Sequence, residues 1–439
     1  MPPSDCQREA VKKVLIVSPN WPPVAYPDMQ RARMACAHLR EFGWEPLILS
    51  ADPDEQVGPK DALLAKTLPE DLRSWQAKAI PKALTRLIGI QSVGYRSFFH
   101  IARLGSQLIA RERVDVVFFS TTMFMLFALG PYWKWKHRVP FVLDFQDPWV
   151  SDYQVRSGGF WMRCKRFLTQ ASARILEPLA VRAAAHIVCV SPSYPDMIRR
   201  RYPDVPKGRF TVIPFAASER DFEILDAMDA PQSIYDPCDG CVHWVYAGRG
   251  GSDMAFSLRA FLKALAAARE GAPGRFERVR VHFIGTDYAA GADARKTVEP
   301  IARECGVADL VREYPARIGY FSALKCLRQA DALFVPGSSD ASYTASKIYP
   351  YILARKPLLG VFHEQSSVVE VFRSMACGEL VTFRTGESVD SVARRIGDRW
   401  FGPVAGRPSA TNWDKFDSYS ARSMTRAVSE VLTRAAFGD

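Results

Sequence analysis

Short apolar runs rich in β-branched and aromatic residues recur along the first half of the chain, separated by longer stretches with apolar residues at helical spacing. Strands buried on both faces of a parallel sheet look like this, because neither face alternates with solvent. The pattern predicts strands at residues 14–18, 46–50, 114–120, 140–144, 186–190 and 211–213. We therefore expect a doubly wound α/β domain in the first half.

The same pattern restarts in the second half. It predicts strands at residues 242–246, 279–285, 332–335, 357–361 and 380–383, and an amphipathic helix at 256–269. The polar, acidic stretch 214–237 lacks periodicity and predicts a hinge, while 412–436 returns to helical spacing. The expected organisation is an N-terminal α/β domain at 1–215, a second at 216–410, and a final helix within 411–439 that packs back on the first.

Composition narrows the class of protein. The chain has 439 residues, of which 48% are hydrophobic and 24% charged, so disorder, collagen and coiled coil are excluded. The first 220 residues hold 31 basic and 20 acidic side chains, and the remainder holds 27 of each. All of the net charge of +11 therefore lies in the first half, which favours an acidic or membrane-surface partner there.

Two features bear on the cellular compartment. Nine cysteines without a short-spaced framework favour a reduced compartment, and the short apolar run near the N-terminus does not resemble a signal peptide. The uncharged stretch 116–133 is long enough to be weighed as a membrane span. A β-rich run followed by Thr121, Thr122 and later Gly130-Pro131 fits a strand and a short helix better.

A glycine-rich turn follows the first predicted strand of the second half. Gly248-Arg249-Gly250-Gly251 leads into a helix for which Ser252 or Asp253 would be the cap. Glycines let backbone N–H groups approach an anion, the helix start adds positive potential, and an arginine adds a two-pronged donor. The turn predicts a phosphate site. A tight turn whose glycines serve only backbone geometry is an equally open interpretation.

A second anion site is indicated by the loop after the strand at 332–335. Small polar residues and a lysine stand there before a helix, which suits a diphosphate at the carboxyl end of a strand. The candidates are Tyr343, Thr344, Ser346 and Lys347. A solvated loop with capping hydroxyls is the alternative.

In the first half, Asp144 and Asp147 come just past a predicted strand, where open α/β sheets bind ligands. Either carboxylate is a candidate for proton transfer to or from an attacking hydroxyl. Asp147 before Pro148 is also a good helix cap. The proline-rich turn after the first strand predicts an acceptor pocket shaped by Asn20, Trp21, Asp28 and Arg31, although Arg31 also fits an exposed helix face.

Taken together, these segments resemble a glycosyltransferase of the GT-B fold, of the group 1 or family 4 type. The resemblance rests on 14–23, 140–149, 184–191, 211–214, 246–251, 330–336 and 346–358, in the right order over nearly the whole chain. It implies two Rossmann-like domains facing a cleft, a nucleoside-diphosphate-sugar co-substrate held mainly by the second domain, an acceptor held by the first, and no required metal or cofactor.

Carried over residue by residue, the resemblance places Gly248, Arg249 and Gly250 at the donor phosphates, with Lys347 as a second basic group. It also places the donor base near the backbone of Arg317 and Ile318. Gly285 and Thr286 fall at the neighbouring strand end. Pro350 stands where such transferases carry a glutamate for the ribose.

The sequence thus predicts a cytoplasmic glycosyltransferase that acts with retention and without a metal. A lipid-linked or surface-polysaccharide intermediate is one candidate acceptor. A nucleotide-sugar 2-epimerase and a non-catalytic binding protein remain open alternatives. Zinc at Cys238 and Cys241 is disfavoured for want of a second ligand pair. Basic and aromatic residues at 133–138, 161–167 and 77–101 predict either membrane-surface contact or a solvated face, and no nucleic-acid-binding motif accompanies them.

Overall fold

A computed structural model describes residues 11–56, 58–86, 90, 92–150, 160–228, 230–287, 294–340, 347–402 and 410–438, with the backbone alone at 160–169. The chain divides into two compact units. Unit 1 comprises Met1–Val57, Ala65–Phe215 and Ala421–Asp439, and unit 2 comprises Gly58–Leu64 and Ala216–Ser420.

Unit 1 is built on a seven-stranded parallel sheet. Its strands are β1 (Lys12–Val17), β2 (Trp44–Ala51), β3 (Arg73–Ala77), β4 (Val116–Ser120), β5 (Phe141–Phe145), β6 (His186–Cys189) and β7 (Phe210–Val212), in the order β3-β2-β1-β4-β5-β6-β7. Its helices are α1 (Gln30–Cys36), α2 (Leu63–Lys66, at the division between the units), α3 (Lys82–Arg86), α4 (Val93–Glu112), α5 (Leu129–His137), α6 (Phe160–Ala183) and α7 (Ser193–Arg201).

Unit 2 carries a six-stranded parallel sheet. Its strands are β8 (Val242–Ala247), β9 (Val279–Ile284), β10 (Val311–Tyr314), β11 (Ala332–Pro336), β12 (Leu358–His363) and β13 (Glu379–Phe383), in the order β10-β9-β8-β11-β12-β13. Its helices are α8 (Glu219–Ala227), α9 (Ala255–Gly271), α10 (Pro273–Phe276), α11 (Glu299–Glu304), α12 (Tyr320–Gln329), α13 (Ile348–Leu353), α14 (Ser367–Met375), α15 (Val389–Ile396) and α16 (Trp413–Phe416). The last helix of the chain, α17 (Ala421–Phe437), belongs to unit 1.

Both sheets reverse the direction of their winding at one point, between β1 and β4 in unit 1 and between β8 and β11 in unit 2. Open α/β sheets bind ligands at the carboxyl ends of the strands beside such a switch point. The predicted fold class, two doubly wound α/β domains, is confirmed at the level of each unit. The stretch 116–133 contains β4 and the start of α5, as expected.

Two boundaries differ from the expectation. Residues 214–237 contain α8, which the sequence did not suggest, and the Ser218 hydroxyl accepts a hydrogen bond from the Asp221 N–H (3.3 Å) to cap it. The sequence analysis missed α8 because its composition is polar and its apolar face is short. The terminal helical stretch is split, because residues up to Ser420 group with unit 2. Helix α17 packs within unit 1, where the Trp44 indole donates to Thr433 Oγ1 at 3.2 Å.

Candidate functional site

The carboxyl edge of the second sheet brings two predicted stretches together at its switch point. The turn 248–251 follows β8, and Lys347 ends the loop that follows β11. A Cβ built on Gly248 would collide with the Lys347 amine and would lie 2.5 Å from the Tyr246 hydroxyl. The lysine amine therefore lies directly over the glycine turn.

Positive charge accumulates at this edge. Burial, and then the nearby guanidinium groups of Arg249 and Arg317, lower the pKa of Lys347 to about 7. Among the described residues no carboxylate pairs with this amine. A bound anion would relieve the repulsion between the three cationic side chains and favour the charged lysine.

Arg249 is held by a carboxylate that the sequence analysis assigned elsewhere. Its two terminal nitrogens each donate to one oxygen of Asp253 at 2.7 Å. Burial acts to raise the pKa of Asp253, but hydrogen bonds from Arg249 and Ser338 bring it below its ordinary value. The prediction that Ser252 or Asp253 caps the following helix is wrong, because α9 begins only at Ala255 and Asp253 binds Arg249.

The glycines of the turn serve a different purpose from the one expected. Gly248 N–H donates to Ile284 and Gly250 N–H to Thr286, each at 2.8 Å, so neither amide is open to a phosphate. None of the three glycines has a positive φ. A Cβ on Gly251 would lie 2.6 Å from an Asp253 oxygen and 2.7 Å from an Arg249 nitrogen. Gly248 and Gly251 therefore make room for charged side chains, whereas a Cβ on Gly250 would meet the uncharged Thr297, Thr286 and Val298.

The neighbouring strand β9 ends beside the same turn. Gly285 adopts φ +69°, and a Cβ there would lie 3.8 Å from the Cα of Arg317, so Gly285 and Arg317, which were predicted separately as donor residues, lie against each other. Thr286 is buried and donates to Glu313 at 2.5 Å, and its carbonyl accepts from Gly250. Thr286 therefore supports the turn. Ile318 follows Arg317 and is partly buried. Tyr343, Thr344 and Ser346 lie outside the described residues.

The switch point of unit 1 is built differently. Asp144, at the end of β5, has no exposed surface and lies 3.0 Å from the Arg31 guanidinium, which is also fully buried. Ser120 Oγ and Gln146 Nε2 donate to the same Asp144 oxygen at 2.9 Å. Arg31 also donates to the carbonyl of Ile213 at 2.7 Å. This arrangement does not favour a catalytic role for the Asp144 carboxylate. It also does not favour the predictions that Arg31 binds an acceptor or lies on an exposed helix face.

The other predicted acceptor residues join the same buried network. Asp28 accepts hydrogen bonds from Asn20 Nδ2 and Thr121 Oγ1, both at 2.9 Å, and burial raises the pKa of its carboxyl. Trp21 is also buried, and its N–H donates to Gln56 at 3.0 Å. Asn20, Trp21 and Asp28 thus hold the loops of unit 1 in place. Asp147, in contrast, is exposed and stays a candidate for contact with a substrate.

Comparisons with known proteins bear on this geometry. Residues 30–216 match the family model described as a glycosyl transferase 4-like domain, a range that covers most of unit 1. This part of the chain is a glycosyl transferase 4-like domain. The predicted class, a GT-B glycosyltransferase, is confirmed by this match together with the two-sheet fold. No curated protein sequence matches the chain.

Solved structures share the fold of this chain at low identity. HepE from Anabaena, solved in complex with UDP and glucose, aligns with a TM-score of 0.60 at 13% identity over 96% of this chain and 99% of its own. A UDP-forming trehalose-phosphate synthase from Burkholderia xenovorans aligns with a TM-score of 0.60 at 10% identity over 97% and 100%. A Listeria monocytogenes protein described as a putative UDP-N-acetylglucosamine 2-epimerase aligns with a TM-score of 0.51 at 10% identity over 97% and 96%.

Three side chains of the transferase that position the glycine turn were missed by sequence reasoning. Tyr246 donates its hydroxyl to the Arg249 carbonyl at 2.8 Å, and the Ala247 N–H donates to the Tyr351 hydroxyl at 2.6 Å. Asp253, described above, is the third. In the sequence the two tyrosines resemble ordinary core aromatic residues. Asp253 could have been found, because it stands four residues after Arg249, a spacing at which opposite charges meet on a turn or helix.

Two further expectations concern metals and membranes. Within the described part of the transferase, no three His, Cys, Asp or Glu side chains are grouped as a metal site, and His243 near the CxxC hydrogen-bonds with His282 at 3.0 Å. None of the helices in the described ranges is both long and apolar enough to cross a bilayer. The basic segment 161–167 has no described side chains.

Proposed function

We propose that the chain transfers a sugar from a UDP-sugar to an acceptor hydroxyl, and that unit 2 holds the donor diphosphate with Arg249, Lys347 and Arg317. The observation that carries the proposal is the amine of Lys347 over Gly248, beside two guanidinium groups, with no carboxylate paired to the amine itself among the described residues. The choice of UDP draws on the fold neighbours, since HepE was solved with UDP-glucose and the Burkholderia synthase is described as UDP-forming.

The same cations supply the chemistry of the departing group. As the bond between the sugar and the diphosphate breaks, negative charge grows on the diphosphate oxygens, and fixed cations aimed at that position stabilise the transition state. Three cationic side chains at one edge fit a reaction that needs no metal, which we include in the proposal. We also propose retention of the anomeric configuration by attack from the departing group's side, because Asp144 is buried in an ion pair and not placed as a nucleophile.

Calorimetric titration with UDP, GDP and ADP and their glucose conjugates, with magnesium or with a chelator, tests the donor. We expect UDP-sugar binding that is equal in both conditions. Arg249→Ala should weaken it by about ten- to a hundredfold, because one of the cations beside the diphosphate is lost. Arg373→Ala, on the exposed face of α14, is the matched control. Absence of nucleotide binding, or equal binding to both variants, contradicts the proposal.

Product analysis separates transfer from the two alternatives. A 2-epimerase would exchange a proton of the sugar with deuterated solvent and would transfer no sugar to an acceptor. A non-catalytic binding protein, suggested by Pro350 in α13, would bind UDP-sugar and turn over on no acceptor. Transfer from radiolabelled UDP-sugar to a lipid or polysaccharide extract supports our proposal, and the anomeric configuration of that product tests retention.

We further propose that the acceptor is presented at a membrane, as a lipid-linked intermediate of a surface polysaccharide. The excess of basic residues in the first 220 positions supports this. Transfer to a lipid-extractable product, with none to free oligosaccharides, is the expected result. The reverse distribution of label would contradict a lipid-linked acceptor while leaving the donor proposal standing.

A further inference from the structure

Three neighbouring helices of unit 1 expose large apolar side chains. Phe99 on α4 is 72% exposed and Trp135 on α5 is 79% exposed. Tyr132 on α5, and Ile175 and Leu179 on α6, are exposed as well. Single exposed apolar residues are common, but several on adjacent elements mark an interaction surface.

The three helices form one continuous face. Helices α4 and α5 are in contact, since the Trp133 indole donates to the Ala102 carbonyl at 3.3 Å. Helices α5 and α6 are joined where Lys134 Nζ donates to the Ala183 carbonyl at 2.8 Å. The rings of Tyr132 and Trp135 lie 6.5 Å apart, so the exposed aromatic groups on α5 form one cluster.

The charge of this face is positive. Phe99 is followed four residues later by the exposed Arg103, and Lys136 lies beside Trp135. Further exposed basic side chains on or directly after these helices are Lys134, Arg138 and Arg174. Arg182 is exposed as well but pairs with Asp204 at 2.7 Å. Among the described side chains of α4, α5 and α6, the only carboxylates are two glutamates, Glu112 and Glu177, and both are in ion pairs.

We propose that the exposed face of α4, α5 and α6 binds an anionic lipid bilayer. Tryptophan and tyrosine favour the headgroup region, where a ring meets both apolar and polar surroundings, and lysine and arginine meet the lipid phosphates. The Lys136 amine lies 5.5 Å from the Tyr132 ring and donates to its hydroxyl at 3.1 Å, which suits a cation at the headgroup level above an aromatic side chain. This inference does not depend on the donor chemistry.

The aliphatic residues decide between a bilayer and a nucleic acid. Phosphates and basic side chains attract each other in both cases, and bases stack on aromatic rings. Ile175 and Leu179, one helical turn apart on α6, gain nothing from bases or phosphates, but they lose water when they enter the boundary between headgroups and acyl chains.

Sedimentation of the full chain with vesicles tests this surface. We expect binding to equimolar phosphatidylglycerol and phosphatidylcholine, little binding to phosphatidylcholine alone, and release by salt. Lys136→Glu and Arg103→Glu should each weaken binding roughly ten- to thirtyfold, because each reverses a charge at the lipid surface. Trp135→Ala should weaken it about fivefold or more, and Trp135→Phe less.

The controls separate this surface from general basicity and from misfolding. Arg373→Glu changes net charge equally but lies on α14 of unit 2, and it should leave vesicle binding within about twofold of wild type. All variants should keep the thermal midpoint and UDP-sugar binding of the wild type, since the substituted side chains are exposed. The proposal is overturned if Arg373→Glu weakens binding as much as Lys136→Glu, if Trp135→Ala binds like wild type, or if only single-stranded RNA binds.

Discussion

The two parallel sheets are wound in the same way about their switch points, but the charged side chains at their carboxyl edges are arranged differently. At the switch point of unit 1, the buried guanidinium of Arg31 is matched by the buried carboxylate of Asp144, and nearby hydroxyl and amide groups donate to that carboxylate. At the switch point of unit 2, the amine of Lys347 lies beside Arg249 and Arg317. Arg249 pairs with Asp253, and no carboxylate among the described residues pairs with the amine.

On this type of fold, a structural polar cluster and a ligand site can be told apart by whether the buried charges are paired within the protein. Charges that are removed from water must be paired, or the folded state loses free energy. Unit 1 meets this requirement with its own residues, so its edge needs no ligand. Unit 2 leaves like charges together, and such an arrangement lowers its free energy most when an anion binds.

The largest expected effect comes from breaking the pair in unit 1. Asp144→Asn leaves the Arg31 guanidinium buried without a counter-charge, and we expect a loss of about 3–5 kcal/mol in the free energy of unfolding. Urea unfolding followed by circular dichroism measures it. The double variant Arg31→Met with Asp144→Leu should lose less, because neither charge is then left alone.

An Asp144→Asn variant that keeps its stability but loses transfer activity would contradict the structural role of this carboxylate. In that case the carboxylate would act on the substrate, as first expected from its place after β5, and the edge of unit 1 would be a reacting centre. Asp196→Asn on α7 is the control, since this carboxylate is exposed and the change should leave stability within about 0.5 kcal/mol of wild type, with transfer activity unchanged.

The second prediction is that one substitution, Lys347→Met, raises stability and lowers donor affinity. Lys347→Met removes the repelled amine, so the free energy of unfolding without ligand should rise by about 1–2 kcal/mol at neutral pH. UDP-sugar affinity should fall at least about tenfold, because a charged contact to the diphosphate is lost. Unfolding curves and calorimetry on the same sample measure both. A variant that is both weaker in binding and less stable would mean that Lys347 is structural.

Most of the fold could be predicted because interior strands of a parallel sheet are apolar throughout. The two strands that were missed, β3 (Arg73–Ala77) and β10 (Val311–Tyr314), are both edge strands in which charged or polar residues interrupt the apolar ones. An edge strand has one hydrogen-bonding side and part of its faces open to water, so its sequence does not show a continuous apolar run.

The candidate site, like the fold, could be predicted from the sequence only in part. A shared position for Arg249 and Lys347 follows from topology, since the loops after neighbouring strands at a switch point must lie close together. The pairing of Arg249 with Asp253, and of Asp144 with Arg31, does not follow from local sequence. Arg31 and Asp144 are far apart in the chain, so only the assembled sheet shows that each neutralises the other.

The third effect concerns the glycine turn. Gly248→Ala places a methyl group where the Lys347 amine and the Tyr246 hydroxyl now lie, so the amine must move. We expect UDP-sugar affinity to fall about three- to tenfold, with a loss of about 1 kcal/mol in stability. Gly274→Ala is the control, because nothing lies within 4 Å of a Cβ at that position. Equal affinity of both variants would show that the position of the amine is unimportant.

The smallest expected effect is a pH dependence of UDP affinity, which comes from Lys347 in unit 2 and has no counterpart at the switch point of unit 1. In the free protein the pKa of Lys347 is lowered to about 7, and a bound diphosphate must raise it, because the anion stabilises the protonated amine. The contribution of Lys347 to binding is then complete below about pH 7 and is lost as the pH rises through the pKa of the complex. Between about pH 7 and pH 8.5 we expect UDP affinity to fall roughly three- to tenfold in the wild type.

Two variants isolate this titration from that of the nucleotide itself. Lys347→Arg keeps its charge over this range, and Lys347→Met has none, so both should show a nearly flat affinity between about pH 7 and pH 8.5. Without ligand, the wild type should gain stability as the pH rises from about 7 towards the ordinary lysine pKa, because the unfolded chain then holds the extra proton. A wild-type profile parallel to that of Lys347→Met would place the titrating group elsewhere, and the contrast between the two sheet edges would then rest on Arg249 alone.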